Sequence, residues 1–336
     1  MGYPCDQMDR KTQRLVDRLN ADFEEVTGRP ANHFFCPILF RDEDVELCMA
    51  HVVNQSFPEP DRTWTVQRAD VDSHFGSVFE SDFVKIQYIR KHTALDVLGH
   101  AELAKKLRPT IRVEGREIGH FVPPDRVPDG FSPILVEGAE GPVRLALKLS
   151  ADETLAAMEK DWTVDFDLDL RLPALVSLLK AAHLTLFSML GYRYALSAAG
   201  HFLGHSVLGE YLGRAVGHSK QAALKVAREH FAPFGNLVRP APGGPTDLRG
   251  TAADGLLYLC MQGDAPWAMA VLVRVDGLLN AVLVPVFEES ERAARFVRFM
   301  EDPSPTFEVA LTRYALGRWE VSPKRVRFHW PRADGE

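Results

Sequence analysis

Only four cysteines occur in 336 residues (Cys5, Cys36, Cys48 and Cys260), and no two of them form a Cys-x-x-Cys pair. That scatter argues against a disulfide framework and a four-cysteine zinc knuckle, and it makes a reducing cytoplasm the simplest compartment. Uninterrupted apolar runs are also missing. Even the most apolar stretch, 172–203, is broken by Ser, Gly, His, Tyr or charged residues, which argues against a membrane protein. Residues 1–19 carry Asp6, Asp9, Arg10, Lys11, Arg14, Asp17 and Arg18 with no apolar segment, so no secretory signal is expected. There is no Walker motif, no Gly-x-Ser-x-Gly elbow and no dinucleotide fingerprint, and Gly243-Gly244-Pro245 lacks the Gly-Lys-Ser/Thr of a phosphate loop. Positive charge is in deficit, 39 Lys+Arg against 46 Asp+Glu for a net −7, so nothing general draws the chain to DNA.

What is present is the composition of a globular protein, 46% hydrophobic and 25% charged, long enough for two domains or for one with a large insertion. Leu15, Val16, Leu19, Phe23 and Val26 fall at helical spacing, which predicts an amphipathic helix over 7–27 stopped at Gly28 and Pro30. Two apolar runs, 34–40 and 45–53, flank the charged Arg41-Asp42-Glu43-Asp44 and predict a hairpin. A helix is expected over 93–107, and strand-like runs punctuated by Gly and Pro over 110–149. Val164, Phe166, Leu168 and Leu170 alternate with Asp165, Asp167 and Asp169, the pattern of a half-buried strand. Helices follow over 172–197, 200–215 and 219–232. Strands are expected at 256–261, 267–274, 278–286, 306–313 and 325–330 around a charged helix at 288–300, with a hairpin turn at Val275-Asp276-Gly277. The fold class is α+β. The expected division is an N-terminal module over 1–125, then an α+β region over 126–336 with a loop at 239–250.

The stretch with chemical content is Cys36-Pro37-Ile38-Leu39, then Glu46 to Asn54 with His51, then Val71-Asp72-Ser73-His74-Phe75-Gly76-Ser77 and Glu80. It resembles the HNH, or ββα-metal, endonucleases over about 34–85. A weaker echo of the helix that follows that unit lies in 178–191. The resemblance implies an N-terminal ββα-metal unit followed by helical and antiparallel β structure. It also implies divalent-metal-dependent hydrolysis of nucleic-acid phosphodiesters, in which a His takes a proton from water and one cation (Mg, Mn, Zn or Ni) stabilises the developing charge. On that pattern His51 is the general base, Asp72 and His74 are metal ligands, and Lys85, Arg90 and Lys91 lie near the phosphates. Ala50 stands where the family commonly has an acidic residue or His, and Leu39 and Val71 replace knuckle cysteines. No structural zinc is therefore expected, and Phe34, Phe35, Phe40 and Phe57 would hold the unit. The alternative is a catalytically degenerate nucleic-acid-binding or scaffold protein. Nucleic acid is the implied partner, with no membrane.

Plainer readings stand beside these. His51 can be a satisfied strand histidine, and Asp70 and Asp72 can cap the helix that starts near Ser73. His201 and His205 stand at i and i+4, but Phe202 occupies the place of a zincin glutamate, and Gly200, Gly204 and Gly209 point to close helix packing. The cations between Val84 and Glu117 give a local excess of positive charge that a solvated face explains equally well. The row Asp165, Asp167 and Asp169 suits a protected edge strand.

Overall fold

A computed structural model describes residues 10–57, 63–91, 110–121, 132–138, 141–147, 162–165, 171–240, 256–286, 290–301, 306–315 and 318–330. The chain divides into two compact units, Met1–Glu80 together with Leu172–Glu336, and Ser81–Arg171. The first unit opens with helix α1 (Arg10–Thr27), which buries Val16, Leu19 and Phe23 on one face. It stops at Gly28, whose φ of 71° only glycine adopts freely.

The hairpin expected between 34–40 and 45–53 is not formed. β1 (Phe34–Phe35) pairs with β2 (Asp42–Glu43), while β3 (Leu47–His51) pairs with β4 (Trp64–Arg68), from Leu47 opposite Arg68 to His51 opposite Trp64. The reason is local. Residues 36–41 close on themselves, with Cys36 N–H donating to the Arg41 carbonyl and Phe40 N–H to the Cys36 carbonyl. Cys36 and Ile38 then go into the core from this turn instead of from a strand face, beside Phe34 of β1. β4 runs directly into helix α2 (Ala69–Phe75), and a π-helical turn, Gly76–Glu80, ends this part of the unit.

The chain then forms the second unit. It contains α3 (Ser81–Lys91) and an antiparallel sheet of β5 (Thr110–Val113), β6 (Arg116–Phe121), β7 (Ser132–Gly138), β8 (Gly141–Leu147) and β9 (Trp162–Asp165), in the order β7-β8-β6-β5-β9. The helix expected over 93–107 and the end of the alternating strand, 166–170, lie outside the described residues.

Back in the first unit, α4 (Leu172–Leu190) is apolar on all sides and buried almost throughout, the signature of a central core helix. By length and composition it could cross a membrane, yet 78% of that apolar window is buried inside the protein. Short helical turns follow at Tyr192–Ala195 and Ala198–Gly200, then a π-helical segment at His201–Gly209, α5 (Glu210–Ala215), α6 (Lys220–Phe231) and a 3-10 turn at Ala232–Leu237. The glycine spacing does mark close packing: a side chain on Gly204 would collide with the Pro37 carbonyl and with the His183 ring, and one on Gly209 with the Ile38 carbonyl.

A six-stranded antiparallel sheet completes the unit. It consists of β10 (Val238–Pro240), β11 (Leu256–Gln262), β12 (Ala265–Val275), β13 (Leu278–Pro285), β14 (Thr306–Ala315) and β15 (Arg318–His329), in the order β10-β13-β12-β11-β14-β15, with α7 (Ser290–Glu301) between β13 and β14 in sequence. Asp276 and Gly277, both at positive φ, make the expected two-residue turn from β12 to β13. Mixed helices and antiparallel sheets make the fold α+β. Most of the loop expected at 239–250 lies outside the described residues.

His183 ties α4 to the loop before β2. Its Nε2 lies 3.1 Å from the Pro37 carbonyl and must donate to it, so Nδ1 accepts from the Tyr194 hydroxyl at 3.0 Å. Burial pushes its pKa down to about 4. The unfolded chain therefore binds a proton that the folded one refuses, and stability is lost as pH falls from about 6.5 toward 4. Between pH 7 and pH 5 this residue removes about 2 kcal/mol of stability. Urea unfolding at the two pH values measures the loss, and His183→Asn flattens it.

Candidate functional site

One charged residue interrupts α4: Lys180, which is fully buried. A lone ammonium cannot stay charged in such surroundings, and two carboxylates meet it. Its Nζ donates to Glu80 Oε1 at 2.7 Å and to Asp72 Oδ1 at 2.9 Å, with the Phe75 ring 5.6 Å away. Burial alone would lower the Lys180 pKa, but Glu80 and Asp72 more than offset it and hold the group above its ordinary value. The two carboxylates reach the same ammonium because of the π-helical turn. Asp72 stands on α2, and the wide turn at Gly76–Glu80 rotates Glu80 inward, where an uninterrupted α-helix would carry it further round the axis.

Other polar groups surround this centre. Asn54 Nδ2 donates to Glu80 Oε2 at 3.1 Å, and Gln67 Nε2 to Asp72 Oδ1 at a long 3.4 Å. Both hydrogen bonds to the Asp72 carboxylate thus fall on Oδ1, and Oδ2 takes none from the described residues. Asp72 is also the exposed member of the trio, its side chain 34% accessible against 11% for Glu80 and 1% for Lys180. Gln67 Oε1 is buried without a partner, as is the hydroxyl of Ser177, one turn before Lys180 on α4. Orphaned acceptors of this kind are uncommon in folded proteins.

His51 ends β3 beside this cluster, its ring tilted 41° against that of Trp64 with centroids 3.4 Å apart. Partial burial lowers its pKa while the Asp72 and Glu80 charges pull upward, and the net shift is downward. The imidazole is therefore neutral at physiological pH and able to accept a proton. The neighbouring Cys48 thiol is no nucleophile, because burial first and then Asp72 push it up to about 12.

The structure brings His51 and Asp72 into one electrostatic neighbourhood but sends His74 elsewhere. His74 Nε2 lies 2.9 Å from the Tyr211 hydroxyl, and burial lowers its pKa. Two residues apart on a helix, Asp72 and His74 face nearly opposite ways. Lys85 donates to Asp82 at 2.7 Å within the second unit. The side chains of Arg90 and Lys91 lie outside the described residues. Neither aspartate caps α2 by the N-cap geometry: Asp72 is bound to Lys180, and Asp70 pairs with Arg68, which holds its carboxyl below the usual range. The residue that sequence reasoning passed over is Lys180, although a single charge inside a nineteen-residue apolar helix was there to be read.

The ion trio leaves a clear stability signature. Lys180→Met removes the ammonium and leaves the buried Glu80 and the half-buried Asp72 without a counter-charge, which costs about 3 kcal/mol in urea unfolding at pH 7. Adding Glu80→Gln to that variant restores part of the loss.

The comparisons with known proteins point away from the nucleases. No family model matches the chain, and no solved structure matches it. Among curated proteins it is similar to the ornithine cyclodeaminase of Methanothermobacter thermautotrophicus, 22% identical over 223 residues, which cover 64% of this chain and 53% of the relative. The chain thus spans about half the length of the curated relative it matches. Among the described residues no three His, Cys, Asp or Glu side chains come together as a metal site. These findings overturn the HNH resemblance, the metal-dependent endonuclease reading and its degenerate nucleic-acid-binding or scaffold alternative. The aspartate assigned to a metal, Asp72, is bound instead by an internal lysine, Lys180.

Proposed function

We propose that the chain is an enzyme of amino-acid metabolism, working in the reducing cytoplasm, whose substrate amine meets the polar cluster of Asp72, Glu80 and Lys180. The observation that carries this reading is the pairing of Asp72, a carboxylate fixed on one oxygen by a buried lysine and open on the other, with the neutral imidazole of His51. The similarity to a protein named for deamination and cyclisation of an amino acid supports the same substrate class. Three free thiols among the described residues, Cys36, Cys48 and Cys260, suit the compartment.

The chemistry of the residues suits an amine. Asp72 Oδ2 receives an ammonium as a charge-assisted hydrogen-bond acceptor. His51 takes a proton from that nitrogen, or returns one to a departing amine, since its lowered pKa keeps it in the basic form near neutrality. Lys180, Glu80 and Asn54 do not touch the substrate in this scheme. They hold the Asp72 carboxylate in one orientation, which spares the site reorganisation when charge changes on the substrate.

Thermal melts with a panel of free amino acids (ornithine, lysine, arginine, glutamate, alanine) test the reading. At millimolar concentrations at least one raises Tm by several degrees through mass action, and Asp72→Asn removes that rise. The C2 proton of His51 in NMR titrations moves when the same amino acid saturates the protein. A panel that leaves Tm and His51 untouched overturns the proposal.

A further inference from the structure

We infer that the corner formed by α5 and α6 is a helix-turn-helix that docks α6 into the major groove of duplex DNA. It lies far along the chain from the 34–85 stretch, uses none of the residues of the amine site, and is a binding function without hydrolysis.

Local sequence makes the corner. α5 ends at Ala215, and Gly217, at a φ of 81°, turns the chain through the left-handed region that favours glycine. Ser219 then caps α6, its hydroxyl accepting from the Ala222 N–H at 3.4 Å. Two helices joined by the four residues 216–219, with a glycine in the turn, have the layout of a helix-turn-helix. Their inner faces share one core. Tyr211, Leu212 and Ala215 of α5 are buried, as are Ala223, Ala227 and Phe231 of α6, and the rings of Tyr211 and Phe231 lie 5.0 Å apart. That shared packing fixes which side of α6 faces solvent.

The outward side has the chemistry of a DNA reader. Every residue from Val216 to Ala222 is exposed, so the turn and the start of α6 are open to a partner. Gln221, Lys225 and Arg228 follow one another at i, i+4 and i+7 along the exposed side of α6. A twelve-residue helix is about 18 Å long, and the roughly 12 Å wide major groove admits it. The span 211–228 holds four cations, Arg214, Lys220, Lys225 and Arg228, and no acid, in a chain whose acids outnumber its bases 46 to 39. A merely solvated face intersperses the two signs. Lys and Gln near the start of the second helix are the side chains that reach guanine and adenine edges, while flanking cations meet phosphates. Val216, 57% exposed at the tip of the turn, offers the apolar contact that a thymine methyl takes. An acidic protein partner would use the cations but would leave the exposed Gln221 and the turn geometry without a role.

Fluorescence polarisation with a labelled DNA duplex of about 30 base pairs and mixed sequence tests this, beside its single strand and an RNA duplex of the same length. At about 50 mM salt the DNA duplex binds in the micromolar range, with a log–log salt slope of about −3 to −4 for four phosphate-binding cations. The RNA duplex, whose deep and narrow major groove excludes a helix, binds at least about tenfold more weakly, and so does the single strand. Lys220→Ala combined with Lys225→Ala weakens duplex binding at least about tenfold and makes the salt slope shallower by about 2. Arg14→Ala combined with Arg18→Ala, the same loss of charge on the exposed side of α1, leaves duplex binding unchanged. Thermal melts matching the wild type confirm that each variant is folded. Absence of duplex binding, equal binding of the RNA duplex or the single strand, undiminished binding by the Lys220/Lys225 variant, or an equal loss in the α1 variant overturns the inference.

Discussion

A single buried ammonium organises this protein. Lys180 lies in the middle of the most apolar helix of the chain, where an unpaired charge would cost several kcal/mol, so every element that supplies a partner has to arrive in register. α2 must present Asp72, the π-helical turn must bring Glu80 round, and the loop after β3 must place Asn54 on the far oxygen of Glu80. Apolar residues at all three positions, 72, 80 and 180, would pack the core as well or better, whereas losing the ammonium alone strands two acids. The ammonium instead fixes the direction of a carboxylate that reaches solvent, which is a geometric role and not a stabilising one.

The same logic explains the two π-helical segments. Gly76–Glu80 turns an acid inward, and His201–Gly209 brings two glycines against the backbone of Pro37 and Ile38. Both are departures from ideal helix geometry that only tertiary contacts maintain, and both border α4. His183, between the Pro37 carbonyl and the Tyr194 hydroxyl, locks the second of them from the helix side. Polar residues in this core therefore act as positional pins within an otherwise apolar packing.

Much of the architecture was legible from residue spacing. α1, the helices from Leu172 onward, the positive-φ turn at Asp276-Gly277 and the run of C-terminal strands all follow from periodicity and turn chemistry. The hairpin at 34–53 was misread because alternation along a segment cannot say which segment pairs with it. The partner of β3 lies after the loop that follows it, and the Pro37 turn folds back on itself. His51, Asp72 and Glu80 were visible as chemically rich residues, but the reading of His51 as general base and of Asp72 and His74 as metal ligands came from likeness to a motif. Two positions apart on a helix, Asp72 and His74 were already poor co-ligands by the 3.6-residue period alone. Lys180 was the decisive signal: a lone charge in a buried helix demands counter-charges, and the acids at 72 and 80 are those that answer it.

The trio also bears on how the chain is made. Glu80 and Lys180 are 100 residues apart, and the residues between them belong largely to the second unit. At ribosomal speeds of about 5–20 residues per second, the first eighty residues emerge and wait roughly 5–20 s before their lysine exists. During that interval Asp72 and Glu80 have no ammonium between them, and the π-helical turn and β4 have no α4 to pack against. The intervening unit, Ser81–Arg171, by contrast needs no strand from outside its own span for its sheet. Synthesis therefore imposes an inside-out order, in which the inserted unit can form first and the enclosing one closes around its lysine last.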